Sequence, residues 1–273
     1  MTVRPITLRR FLIAISTTLG ACCALAGESP PFEPYRASYT VTRGNADIGR
    51  VDVELTRRED GLWHYAIESQ ATAWYIRMLG ISTTETSWFQ WYKGRVLPLT
   101  YHHVSREPGS DRFWQHRYDW QKMQTDTRTH EEDLIVPLEI GVVDPLSLRL
   151  AAVARIAEQA PVFESFGMQV LERDAIERQE YRYNGTELLE IDGRCYRTAV
   201  FKRFRKQGSS RNYTAWHAES LGWMPVRIVH QDDGKPITLT LDHWESSSRG
   251  LPEAENCVTS TDGAQHGGAL ESA

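Results

Sequence analysis

Four histidines, His64, His102, His103 and His116, are the first side chains to weigh for chemistry. Imidazole suits zinc and copper, and a hairpin turning at Pro108-Gly109 would set His102 opposite His116. No carboxylate or thiol falls in that hairpin at a ligand position. Cross-strand packing of polar-tipped rings is therefore the preferred reading, with no metal or other cofactor expected. Glu85 and Glu187 could serve acid and base work, but no spacing pairs them. The chain has no Gly-x-Ser-x-Gly, no His-Glu-x-x-His and no glycine-rich phosphate loop, which are the signatures that would point to a hydrolase or a nucleotide enzyme. The residues favour a binding protein over an enzyme.

The aromatic residues say more. Nine tryptophans, eleven tyrosines and eight phenylalanines are too many for the surface, and most of the tryptophans fall in strand-like runs. They either line an apolar concavity for a lipid tail or fill a β core. For the first case the expected lining residues are Trp63, Trp91, Trp216 and Ile228. Lys202, Arg203, Arg205, Lys206 and Arg211 cluster about the turn at Gly208. Arg203 and Arg205 are the expected contacts for a polar or anionic head, and the alternative is a solvated hairpin tip guarding a strand edge.

These residues need elements to position them. Tyr213 to Trp244 holds three runs, Asn212–His217, Trp223–His230 and Pro236–Trp244, that alternate apolar with polar residues, separated by turn chemistry at 219–222 and 232–234. Alternation at period two predicts a meander with one apolar face. The same pattern predicts strands at 35–42, 50–56, 63–67, 83–92, 95–106, 112–120 and near 123–128. It resumes at 162–170, 177–183, 186–191 and 194–206, where Asp192-Gly193 is a two-residue hairpin signal. Ala71–Leu79 has helical spacing closed by Gly80 and reads as a lid or a plug. Asp144 and Pro145 open a better helix, with Leu146, Leu150, Val153 and Ala157 on one stripe opposite Arg149 and Glu158. Gln124–Asp133 is polar and acidic and reads as a surface loop. The fold expected is mainly β, a large curved antiparallel sheet of ten or eleven strands, a half-barrel or open barrel closed by one or two helices.

At 273 residues one β-rich domain, 27–245, is expected between two segments outside the fold. Arg4, Arg9 and Arg10 before the apolar run Phe11–Leu25, and the small residues Ala24-Leu25-Ala26, predict a signal peptide over 1–26 and a periplasmic product. Leu19-Gly20-Ala21-Cys22 offers a second route, lipidation of Cys22 and a membrane-anchored lipoprotein. No later segment is apolar over the length of a membrane span. Removing the leader leaves 28 lysines and arginines of the 31, against 36 acids, a net charge of −8. That charge argues against nucleic acid as partner. Cys195 and Cys257 remain, able to pair in an oxidising compartment or to stay free. Residues 246–273 lose apolar periodicity and read as a disordered tail.

Three motifs together resemble an exported bacterial family known as a domain of unknown function. They are Tyr35-x-x-x-Tyr39 leading to Ile48-Gly49, Asp144-Pro145-Leu146-Ser147-Leu148 opening a helix with Arg155, and Trp216 followed by Leu221-Gly222-Trp223-Met224-Pro225-Val226-Arg227-Ile228. The last motif also looks like the end of the periplasmic lipoprotein carrier and receptor class. That resemblance implies a curved half-barrel closed by helices around a cavity for acyl chains. The function expected is binding or carriage of a lipophilic molecule of the envelope. The alternatives are a structural or interaction protein with a self-filled core and, third, an envelope hydrolase.

Overall fold

The computed structural model describes residues 29–73, 80–204, 212–231, 235–251 and 257. Eight strands come first: β1 (Tyr35–Arg43), β2 (Ala46–Arg57), β3 (Trp63–Ala71), β4 (Ser82–Tyr92), β5 (Arg95–Glu107), β6 (Ser110–Asp119), β7 (Gln124–Thr129) and β8 (Asp133–Pro137). A helix, α1 (Ser147–Gln159), follows. Six strands complete the chain: β9 (Phe166–Leu171), β10 (Ile176–Ile191), β11 (Arg194–Phe204), β12 (Asn212–Ala218), β13 (Met224–Gln231) and β14 (Ile237–Ser246). All fourteen form one antiparallel sheet in the order β8 to β1, then β14 down to β9. Each half is a meander of sequential hairpins, and the β1–β14 pairing joins them.

The turns follow local chemistry. Asp192 and Gly193 both take positive φ, 49° and 71°, the paired left-handed conformation that a two-residue hairpin demands. Lys93 and Gly94 do the same at 50° and 72°. Along β1 to β3 the inward set Tyr35, Ala37, Tyr39, Val51, Val53, Leu55, Trp63, Tyr65 and Ile67 is buried. One continuous core results, since period two puts every second residue on the concave side.

The strand count exceeds the ten or eleven expected. β8 was not anticipated, and Gln124–Thr129 is a strand although the acidic stretch it opens reads as a loop. Its inward residues are Thr125, Thr127 and Thr129, all buried, so the alternation is real but carried by threonine rather than by apolar side chains. The two runs expected at 177–183 and 186–191 are one strand, with a shift of register between Tyr183 and Thr186. His102 does not face His116. Tyr101 pairs with His116 and His102 with Gln115, which leaves His116 buried and His102 exposed on the other face. Of the helix expected at 71–79, Ala71 is the end of β3 and residues 74–79 lie outside the described residues, as does the leader with Cys22. Order persists past residue 245, because Ser246 and Ser248 donate hydrogen bonds to Glu33 and Cys257 is bonded to Cys195.

The sheet's outer strands, β8 and β9, do not pair with each other. The connection Leu138–Val143 bridges them: Leu138 donates to Met123 O at 2.9 Å, and Val143 donates to Gln169 O at 3.1 Å while accepting from Leu171 N at 2.9 Å. Tyr118, Val136, Leu138, Val142 and Leu171 pack as a small separate cluster across this gap, and Arg173 pairs with Glu131 outside it. An edge that could recruit another strand is thereby covered.

Helix α1 lies inside the curve, packed on β5 and the common core. Its start is fixed by one carboxylate. Asp144 Oδ1 accepts from the amides of Leu146 (2.9 Å) and Ser147 (2.7 Å), and Oδ2 from the hydroxyls of Ser147 and Ser87, both at 2.7 Å. Asp144 N in turn donates to Ser147 Oγ at 3.3 Å. The Asp144 carbonyl accepts from Leu148 N at 2.9 Å, so the first turn begins at Pro145, as the sequence predicts. Burial pushes the Asp144 carboxyl up to about 6 against these four donors, and it is ionised at neutral pH.

Replacing Asp144 with Ala should cost about 3 kcal/mol, from a lost cap and a buried Ser87 hydroxyl left without its acceptor. Asp144→Asn keeps an acceptor for the two amides and should cost about half of that. Urea unfolding of both variants checks this. Equal losses would mean that size, not hydrogen bonding, matters at 144.

Candidate functional site

Between α1 and the inner faces of β1 to β3 and β10 to β14 lies a cavity of about 140 Å³, counted as space open to the centre of a water-sized sphere. One water needs about 10–15 Å³ on that measure, so the space suits a slim chain or a single ring. Two wider depressions, of 580 and 370 Å³, lie on the sheet beside β6 to β8 and along the outer side of α1. Both are shallow and open to solvent.

Val51, Val53, Ile67, Leu150, Val153 and Phe201 supply the cavity's apolar wall. Arg149 of α1 enters it among them. Its side chain is 38% exposed yet deep among protein neighbours, so the exposed part faces the cavity. The nearest acidic oxygen, Glu85 Oε1, is 3.8 Å from Arg149 Nη2, an ion pair beyond hydrogen-bond reach. Burial, the largest single influence, pulls the guanidinium down, but Glu85 together with Tyr65, Tyr213 and Tyr101 outweighs it, and Arg149 stays charged.

Glu85 stands behind Arg149 on β4. Its Oε2 accepts from the Tyr101 hydroxyl at 2.8 Å. His103 Nδ1 is 4.0 Å from the same oxygen and has no hydrogen bond, so it acts on Glu85 through space; its ring stacks on Trp114 at 3.6 Å. Burial opposes ionisation of Glu85, but His103, Arg149 and Tyr101 together bring its carboxyl down to about 2. Ser87 and Glu85 occupy one face of β4, and Asp144 and Arg149 one side of the helix start. Strand and helix therefore meet at two rungs, Ser87 to Asp144 and Glu85 to Arg149.

Tyrosines surround this pair. The Tyr35 hydroxyl donates to that of Tyr65 at 3.2 Å, and Tyr39 donates to Pro225 O at 2.8 Å. Burial raises all three phenols, so each remains a neutral O–H. His217 Nδ1 is 2.8 Å from Trp223 O. A carbonyl only accepts, so Nδ1 carries the proton and Nε2 is the acceptor. Burial lowers His217 to about 4, and likewise the buried His116.

Of the expected lining residues, Ile228 and Arg203 do line the cavity. Arg203 lies over the Tyr213 ring at 4.2 Å, and Tyr213 stacks on His230 at 4.3 Å, forming the rim. Trp63, 2% exposed, is instead part of an aromatic layer with Phe32 and Phe89. Trp91 packs on Phe32 and borders the groove outside α1. Trp216 alternates with the cavity residues Ala215 and His217, faces the other side, and donates to Glu187. Arg205 lies outside the described residues. The sequence sets Arg149 opposite the apolar stripe of its helix, yet in the fold it enters the same cavity as Leu150 and Val153 of that stripe, while Arg155 and Glu158 stay exposed. The sequence held a signal for this. Ser147–Ala157 is apolar or small apart from Arg149 and Arg155, which marks Arg149 as a charge set among apolar neighbours.

The described residues hold no cluster of His, Cys, Asp or Glu suited to a metal ion. No described helix is long and apolar enough to cross a membrane. By sequence the chain matches no protein-family model and no curated protein. By structure it is similar to a β-barrel-like protein of the domain of unknown function DUF1849 from Brucella abortus, with TM-score 0.55 and 10% identity, over 80% of this chain and 99% of the other. That likeness establishes the fold: a mainly β, barrel-like sheet that is not closed by strand pairing, with a helix inside.

Acid should unfold the protein in a defined order. In the unfolded chain His116 and His217 take up protons near 6.5, but in the fold only near 4. Stability is therefore lost as pH falls between those values, by about 3 kcal/mol for each histidine. Asp144, raised from 3.8 to about 6, works the other way over its own window and offsets about one of them. Glu85, lowered from 4.5 to about 2, adds a further loss below pH 4.5. Urea midpoints measured from pH 7 to pH 3 should show this fall, and His217→Gln should flatten the part above pH 4. An unchanged slope in that variant would contradict the neutral, buried state assigned to His217.

Proposed function

We propose that this protein is an exported, non-enzymatic binding protein of the cell envelope that holds a small lipophilic molecule in the cavity beside α1. The observation that carries the reading is a partly open, largely apolar space beside α1 containing a charged Arg149 that has no hydrogen-bonding partner among the described residues. A polar cavity of that kind is occupied by water or by ligand rather than left empty. The basic leader with its apolar run supports export, and so does the Cys195–Cys257 disulfide, which persists in an oxidising compartment. Ile228 and Arg203 stand at the rim, where the ligand passes. The barrel-like neighbour supports the architecture and says nothing of the ligand.

Native mass spectrometry of the processed protein, purified without detergent, tests this. A stoichiometric acyl or other lipophilic species should accompany the wild type and the Trp216→Ala variant, whose changed residue faces away from the cavity. It should fall at least about tenfold in occupancy in Ile228→Asp, as expected for a charge placed on an apolar path, with near-UV circular dichroism confirming that this variant is folded. A bare mass for the folded wild type, joined by a stable envelope partner in pull-downs, would favour the interaction protein instead.

A further inference from the structure

We infer that the cavity binds a hydrophobic carboxylic acid as its anion, with the carboxylate between the Arg149 guanidinium and the Tyr65 hydroxyl and the apolar part directed toward Ile228. This rests on the binding reading above and adds the head group, its site and its orientation.

The unmet hydrogen-bonding capacity points to the head group. Arg149 has five N–H donors, and among the described residues its only charge partner is Glu85 at 3.8 Å, too far for a hydrogen bond. Arg149 is 38% exposed in a partly open cavity, so water meets its donors until an acceptor replaces it, and a planar carboxylate meets two of them at once. The Tyr65 hydroxyl accepts from Tyr35 and keeps its own proton to donate. Tyr65 and Arg149 interact electrostatically and line the same cavity. Guanidinium and phenol together offer donors and no acceptor, which is the requirement of an anion.

Glu85 sets the charge of that anion. One of its oxygens is held by Tyr101 and the other faces Arg149, so half of the guanidinium's field is already answered. A second full negative charge would sit against Glu85 and be repelled, which disfavours a dianionic phosphate head. Arg203 is the other cation of the cavity, but its guanidinium rests on the Tyr213 ring at the rim. It is placed to attract an acid and Arg149 to hold it. The 140 Å³ of space and its aliphatic wall then favour one unbranched chain of moderate length.

Three probes sharing one chain separate the possibilities: decanoate, 1-decanol and decyl phosphate, each titrated calorimetrically into the full processed protein after delipidation. Decanoate should bind about 10- to 100-fold more tightly than 1-decanol, the range expected for charge-assisted hydrogen bonds, and more tightly than decyl phosphate. In Arg149→Met the advantage of decanoate over 1-decanol should shrink to within about threefold, the remainder expected from Tyr65 alone, while Arg155→Gln, exposed on the outer side of α1, should preserve it. The wild-type ranking stands without either variant, should Arg149→Met not fold. Equal binding of decanoate and 1-decanol, or tighter binding of decyl phosphate, overturns the carboxylate site and leaves the cavity as a lipophile site. Failure of all three to bind overturns the binding reading itself and this inference with it.

Discussion

Everything in this protein that resembles a site depends on where α1 is held, and a single buried carboxylate holds it. Asp144 caps the first turn with one oxygen and ties the helix to β4 through Ser87 with the other. Two residues along a strand span about 6.6 Å, and five residues along a helix rise about 7.5 Å. Beside the tie at Ser87 to Asp144, Glu85 of the same strand stands 3.8 Å from Arg149, a second meeting of strand and helix. The arginine is aimed by the cap, and the cap is set by a residue whose own ionisation is opposed by its burial.

That arrangement places an unusual charge. An arginine near a helix N-terminus meets the positive end of the helix dipole, which disfavours it, and enclosure disfavours it again. Glu85 offsets both by charge at 3.8 Å but leaves the guanidinium's hydrogen bonds unmade. The contrast with Glu85 is instructive. That carboxylate has a hydrogen bond from Tyr101, one ion pair and a nearby imidazole, and its low pKa records the satisfaction. Arg149 is the member of the pair left with capacity to spare.

Much of the fold was legible in the sequence, because period-two alternation and two-residue turns are local signals. Asp192-Gly193 and the capping pattern at Asp144 mean the same in one dimension as in three. Strand β7 was less visible because threonine, not an aliphatic residue, occupies its inward positions. The site was less legible than the fold. Tryptophans were good markers of burial and poor markers of the cavity: Trp63 fills the aromatic layer, and Trp216 belongs to the other face. Which side of a strand points inward depends on bulges, such as the shift between Trp216 and His217, and periodicity alone does not fix these. Arg149 was less visible because periodicity sets it opposite the apolar stripe, yet its side chain enters the cavity that Leu150 and Val153 of that stripe also line.

The same curvature bears on whether the core is filled or open. Toward Trp63, Phe32 and Phe89 the interior is closed by stacked aromatic rings, and there the molecule behaves as a packed β core. Toward Arg203, Tyr213 and Ile228 the helix contributes Leu150, Ala152 and Val153 to the wall of the 140 Å³ space. An interior meant only to be solid would close that gap with larger aliphatic side chains, as interiors ordinarily pack at crystal-like density. It is bordered instead by phenols, two histidines and two guanidiniums, groups that need partners. A void with apolar walls can stay dry, but one with these groups cannot. The filled end closes the core, and the polar end is the part with something left to bind.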